Sequence, residues 1–181
     1  MISRLPLIAS LSIAMTAIIA MMSAAHAAPP VTVTVNSISA AGVGPAIGSV
    51  TFADSKWGLL VTPNLSGLPA GVHGFHIHEK PACGPADHDG KMAAGFAAGG
   101  HLDPAATRHH KGPYGNGHAG DLPPLVVNAD GKATTPVLAP RLLLKDVQGR
   151  AIMVHAGGDN YADEPEPLGG GGPRIACGVI P

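Results

Sequence analysis

Val31-Thr32-Val33-Thr34-Val35 alternates apolar and polar residues with a period of two. Successive side chains of an extended chain point to opposite faces, so the three valines share one face and the two threonines the other. That is the pattern of a strand with one side buried. Working outward, residues 47–52 and 59–62 read as its hairpin partners, with Ala53-Asp54-Ser55-Lys56 as the turn. Residues 72–78 form the next strand. Leu125-Val126-Val127 and residues 133–138 flank Asn128-Ala129-Asp130-Gly131, a strong turn signal. Residues 142–144, 151–155 and 175–180 complete the set. Helical periodicity is confined to a turn near Leu142. Short strands punctuated by Gly and Pro argue for an all-β sandwich or barrel.

Two segments break this rhythm. Residues 79–123 form a long loop dense in Gly, His, Pro and Asp. Residues 156–173 form a second, ending in Gly169-Gly170-Gly171-Gly172-Pro173. Loops of this length in a compact domain are functional or disordered. The four glycines are no phosphate cradle, since neither Gly-Lys-Ser/Thr nor a helix follows them. They let backbone pass close to something, or supply turns.

Arg4 is the only charged residue before Asp54, and an apolar run follows it to Met22. Ala25-His26-Ala27 then gives a small-residue cleavage pattern, so residues 1–27 are expected to be a cleaved secretory signal and residues 28–181 the working domain. An uncleaved anchor is the alternative, because the apolar run is long for a signal. Loss of Arg4 makes the mature chain about one unit more acidic than the net −1 of the whole. No basic patch suggests nucleic acid, and no second hydrophobic span suggests a membrane protein. The two cysteines, Cys83 and Cys177, most simply make one disulfide in an exported chain. Free thiols or thiolate ligands would suit a reducing compartment instead. Closing so long a loop stabilises a fold by roughly 4–5 kcal/mol on the chain-entropy model.

The chemistry is carried by histidine. His76 and His78, in Gly74-Phe75-His76-Ile77-His78-Glu79, project from one face of a strand and make half of a transition-metal site. His155 ends another strand, and His101 sits in Gly99-Gly100-His101-Leu102-Asp103-Pro104. Four imidazoles in tetragonal geometry suit copper. His110, His118 and Asp121 lie close together in the first loop and, with one more nitrogen, make a closed tetrahedral set suited to zinc. Two adjacent four-ligand sites drawn from these side chains require one ring to serve both.

At this point the chain resembles the copper/zinc superoxide dismutases, in particular their exported bacterial branch, over nearly all of the sequence from Val31 onward. The motifs are His73-Gly74-Phe75-His76-Ile77-His78, Gly99-Gly100-His101-Leu102-Asp103-Pro104, Gly117-His118-Ala119-Gly120-Asp121-Leu122, Val154-His155-Ala156-Gly157-Gly158-Asp159 and Gly172-Pro173-Arg174-Ile175-Ala176-Cys177-Gly178-Val179-Ile180. Each alone is weak; five in order are specific. The resemblance implies an eight-stranded Greek-key β-barrel, an immunoglobulin-like sandwich with two long functional loops. It implies dismutation of superoxide to oxygen and hydrogen peroxide by alternate reduction and reoxidation of copper, as antioxidant defence in the periplasm. Copper would be held by His76, His78, His101 and His155; zinc by His101, His110, His118 and Asp121, with His101 as the bridge. Arg174 would draw in the superoxide anion, Asp159 would link His76 to His110, and a Cys83–Cys177 disulfide would pin the long loop beside Arg174.

The second loop departs from the family's habit of carrying lysines near the active site: Asp163, Glu164 and Glu166 lie there instead. Steering is then expected from Arg174, the metals and Lys80, Lys91 or Lys111. His73 is expected to be a structural hydrogen-bonding residue, His88 and His109 to be solvated, and Asp87 and Asp103 to cap turns. Glu79 beside His78 is no metalloprotease signal, since Pro81 bars the helix that H-E-x-x-H needs. Trp57 marks a homodimer interface or a plain hydrophobic contact; the sequence leaves monomer and dimer both open. Two rivals rank behind. A copper-carrying relative would lack a ligand or Arg174, and a zinc hydrolase would need an open zinc position.

Overall fold

The structure, a computed structural model, describes residues 28–181; the expected signal at 1–27 lies outside the described residues. The first hairpin sets the pattern. Strands β1 (Val31–Ser39) and β2 (Gly42–Ser55) pair antiparallel with Val33 opposite Val50 and Val31 opposite Phe52. Val33, Val35, Val50 and Phe52 are buried while Thr32 and Thr34 face solvent. Strand β3 (Gly58–Leu65) pairs with β2 down to Ser55 opposite Gly58, so the turn is Lys56-Trp57 rather than the four residues ending at Lys56. The Ser55 hydroxyl donates to the Gly58 carbonyl and accepts from the Trp57 amide, which favours the tighter turn.

Residues 72–78 are not one strand. They break at Gly74 into β4 (Gly71–His73), paired with β8 (Leu125–Val127), and β5 (Phe75–His78). A Cβ on Gly74 would lie 3.1 Å from His76 Cε1 and 3.3 Å from His155 Cβ, so the bend occurs where backbone must crowd two rings. The long loop holds a small hairpin, β6 (Ala86–His88) with β7 (Lys91–Ala93), and one 3₁₀ turn at Phe96–Ala98. β9 (Val137–Ala139) pairs with β3, not with β8, although the Asn128 turn forms through Gly131 N–H to Asn128 O at 2.9 Å. Residues 142–144 do not form a strand. Helix α1 (Leu144–Val147) starts there, its first turn bonded by Asp146 and Asp54. β10 (Arg150–His155) and β11 (Arg174–Ile180) complete the sheet.

The main sheet runs β5-β10-β11-β1-β2-β3-β9, seven antiparallel strands, and β4 with β8 forms a separate two-stranded sheet that meets it at the Gly74 bend. It curls around one core that includes Phe52, Leu59, Val61, Phe75, Ile77, Leu122 and Ile152. Fully burying a residue of this kind contributes about 1.5–3 kcal/mol. Cys83 and Cys177 are joined as a disulfide across 94 residues, fastening the first long loop to β11. Among the described residues no helix is long and apolar enough to cross a membrane. Trp57 stands at the hairpin tip, 67% exposed, with the Lys56 ammonium 4.8 Å from its ring.

Candidate metal centre

β5 lies against β10 with Met153 opposite His76 and Ala151 opposite His78, so its outer edge would otherwise be bare. The first loop covers it. Ile77 N–H donates to Gly120 O at 2.9 Å, Leu102 N–H donates to Ile77 O at 2.8 Å, and Gly120 N–H donates to Leu102 O at 2.9 Å. Isolated bridges put Asp121 opposite His76 and His101 opposite His78. Pairing of this kind satisfies an edge strand and fixes register at once. It delivers two loop residues to the face where β5 presents its imidazoles, and His155 arrives from the neighbouring strand.

Six of the seven side chains converge in two overlapping groups. One ligand atom from each of His76, His78, His101 and His155 lies within 4.8 Å of the others, and the same holds for His76, His101, His110 and Asp121. His118 is outside that second group by this measure, with its Nδ1 3.4 Å from Asp121 Oδ1. The seven are buried, His118 at 7% and His155 at 5% exposed being the most open.

The outward nitrogens are anchored. Asp159 stands between two rings, Oδ2 at 2.8 Å from His76 Nε2 and Oδ1 at 2.7 Å from His110 Nε2. His78 Nδ1 meets Gly99 O at 3.0 Å and His155 Nδ1 meets Gly172 O at 3.1 Å, whereas His101 Nδ1 turns to another candidate ligand, Asp121 Oδ1, at 3.0 Å. The inward nitrogens are a different matter. His76 Nδ1, His101 Nε2, His110 Nδ1 and His118 Nδ1 are buried with no hydrogen-bond partner. Each buried polar atom left unpaired costs about 1–3 kcal/mol, so the free His76 and His101 nitrogens, with His110 Nδ1 and His118 Nδ1 turned to the Asp121 carboxylate at 3.1 and 3.4 Å, mark a place built for cations. The donor set, imidazole with one carboxylate, fits copper and zinc.

The electrostatics agree. Burial pushes the His76, His78 and His155 rings below the ordinary imidazole value, and His101, buried and facing His76, drops to about 3. These rings are neutral, which ligation requires. Burial opposes charge on His110 too, yet Asp121 and Asp159 on either side raise it to about 9, so this spot favours positive charge. Burial would lift both carboxyls, but hydrogen bonds from the surrounding rings hold Asp121 and Asp159 well below the usual carboxylate range.

The glycine run has a steric purpose. Gly169 adopts φ 76°, and a Cβ there would lie 2.2 Å from Asp159 Oδ1 and 2.7 Å from His110 Nε2. Only glycine lets this backbone pass the Asp159–His110 link.

Arg174 borders a cleft of about 590 Å³ that opens onto His101 and His155. Its guanidinium donates to Gly95 O at 2.8 Å and Gly99 O at 2.9 Å and stacks 4.1 Å from the Phe96 ring centre. Burial lowers its pKa to about 10, which leaves it cationic at neutral pH. The other face-to-face partner of Phe96 is His88, its ring 4.2 Å away and its side chain 55% exposed. His73 is spent on backbone, its nitrogens 2.8 Å from His155 O and 2.9 Å from Pro69 O. Asp103 receives Thr107 Oγ1 and Arg108 N–H, Asp87 receives Gly90 N–H, and Glu79 receives Gly100 N–H.

Two contributors carry no signal in the sequence. Asp163 is a tether rather than a stray acid: its carboxylate accepts from His110 N–H at 3.1 Å and lies 3.4 Å from His109 Nδ1. Arg141, in a segment with no motif, donates to backbone carbonyls of the first loop. Nothing local marks either residue, because each acts on backbone far away in sequence.

A family model described as copper/zinc superoxide dismutase matches residues 46–180. The Superoxide dismutase [Cu-Zn] of Escherichia coli K12 is 58% identical over 149 residues, spanning 82% of this chain and 86% of the relative. Superoxide dismutase [Cu-Zn] 2 of Salmonella typhimurium is 54% identical over 171 residues, spanning 94% and 98%. Among solved structures, the Cu/Zn superoxide dismutase from Brucella abortus superposes with a TM-score of 0.83 at 50% identity, covering 84% of this chain and all of that one.

Proposed function

The chain belongs to the copper/zinc superoxide dismutases, oxidoreductases with one copper and one zinc, and on that premise we propose how its own residues divide the work. His76, His78, His101 and His155 hold copper; His101, His110, His118 and Asp121 hold zinc. Asp159 occupies the Nε2 of His76 and leaves Nδ1 as its one donor, so His76 serves one side only, and its place on β5 beside His78 assigns it to copper. His118 then completes the zinc set. His101 would bridge: Asp121 marks the side to which its Nδ1 turns, its Nε2 is buried without a partner, and the ring belongs to both groups. The observation that carries this reading is the set of four buried ring nitrogens without partners.

When bound, copper supplies a one-electron couple that oxidises one superoxide to oxygen and reduces a second toward peroxide, while zinc supplies fixed charge. The protein's part is recognition, orientation and protons. Arg174 presents a permanent cation at the floor of the cleft, where a small anion is drawn in and held. Gly95 and Gly99 fix the fork and Phe96 supports its plane. Asp159 sets the tautomers of His76 and His110, as such carboxylates do around metal-binding imidazoles. With copper released from it on reduction, His101 Nε2 would take a proton from solvent and pass it to the peroxide-level oxygen, and solvent would give the second.

Residues 1–27 are proposed to direct export and be removed, which would place the enzyme in the periplasm; the disulfide and the bacterial origin of the relatives support this. Arg174→Ala tests the mechanism: superoxide consumption should slow about 10-fold or more with copper content unchanged. Turnover equal to that of the parent chain would remove Arg174 from the scheme.

A further inference from the structure

Two proposed zinc ligands, His110 and His118, bracket Lys111-Gly112-Pro113-Tyr114-Gly115-Asn116-Gly117. This connector contains three glycines, and the one backbone bond tying its ends is His118 N–H to His109 O at 2.9 Å. Glycine-rich chain has the most freedom to lose on ordering. Left alone, such a segment would not keep two imidazoles at a set separation.

Arg141 supplies what the loop lacks. Its Nε donates to Pro113 O at 3.0 Å and one terminal nitrogen to Gly117 O at 2.9 Å. The other terminal nitrogen donates to Gly112 O at 3.1 Å and to His118 O. A guanidinium offers five N–H donors in a rigid planar fork, and here one group spans both ends of the connector. Arg141 is itself well placed to act as a template. It follows β9 after Pro140 and precedes the buried Leu142 and Leu144 that root this segment in the core.

We propose that Arg141 is a positioning residue for the zinc side: it clamps the 112–118 backbone and so limits how far His118 must move to join His110 when the ion arrives. The inference rests on the zinc assignment above. Preorganisation of this kind raises affinity by removing ordering cost at the moment of binding. Lysine would keep the charge but not the fork, so Arg141→Lys should recover little of the effect.

The test uses the whole protein with Arg141→Ala, Arg141→Lys and, as a comparison, Val61→Ala, which opens the core elsewhere. Zinc affinity is read by competition with a chelator, and cobalt is used as a spectroscopic replacement for zinc. Both Arg141 variants should bind zinc about 10- to 100-fold more weakly, the range seen when groups that orient metal ligands are removed. Their cobalt visible bands should shift, and copper affinity should stay at the parent value. Val61→Ala should lose thermal stability with zinc affinity and cobalt bands intact. Parent-like zinc affinity and cobalt bands in Arg141→Ala would overturn the proposal, as would equal zinc loss in Val61→Ala. If Arg141→Ala does not fold, the zinc affinity and cobalt bands of Arg141→Lys decide in its place, by the same criteria. A parent chain that binds neither zinc nor cobalt would overturn the zinc assignment and this inference together.

Discussion

The proposed copper side rides mainly on strands, whereas the proposed zinc side rides on a loop. His76, His78 and His155 stand on β5 and β10, whose register fixes them within the hydrogen-bonded sheet. His110, His118 and Asp121 stand on backbone with few ladder bonds of its own, held by groups from elsewhere: Asp159 and Asp163 from the second loop, Arg141 from the segment after β9. A sheet orients side chains as a by-product of folding. A loop must borrow its order from outside, and the borrowed contacts are charged groups reaching across long sequence distances.

His101 belongs to both halves, so its loss should have the largest consequence. His101→Ala should lower superoxide consumption on the order of 10²–10⁴-fold, the range for removing a general acid–base group, and should weaken both metals. Retained zinc and near-parent activity would break the division into two linked halves.

The next expected effect concerns the staple. Cys177→Ser should lower stability by about 2–5 kcal/mol in denaturant unfolding, since the disulfide closes a 94-residue separation. An unchanged midpoint would mean that the first loop is held by its other contacts alone.

Asp159→Asn sharpens the comparison most finely, because this carboxylate touches one ring from each half. Metal affinity should fall about 10- to 100-fold on the zinc side. Copper affinity should fall less, since His76 keeps its strand. Equal losses would show that the strand gives no extra hold.

The same contrast explains what could be read from the sequence. The alternation in Val31–Ser39 and in the segments that became β3, β10 and β11 was legible because one buried face imposes a period of two. Six of the seven proposed ligand residues, which the structure brings together, stood out because histidine at motif spacing is chemically specific. The Gly74 bend was not, since two rings and not a local turn signal demand it. Residues 142–144 looked like a strand because a short apolar run carries no period of its own; bonds from Asp54 and Asp146 decide for a helix start. Asp163 stood out only as a departure from the family's lysines, yet its charge is used on the amide of His110. Arg141 had no sequence signature, because its partners are main-chain carbonyls and any residue can supply those.

The central claim is that one imidazole, His101, joins a strand-built copper site to a loop-built zinc site. The most direct measurement is the paramagnetic resonance spectrum of copper-loaded protein as zinc is added. Sharing of His101 predicts that the copper signal changes in step with zinc uptake and saturates at one zinc per chain. A copper spectrum indifferent to zinc would contradict it.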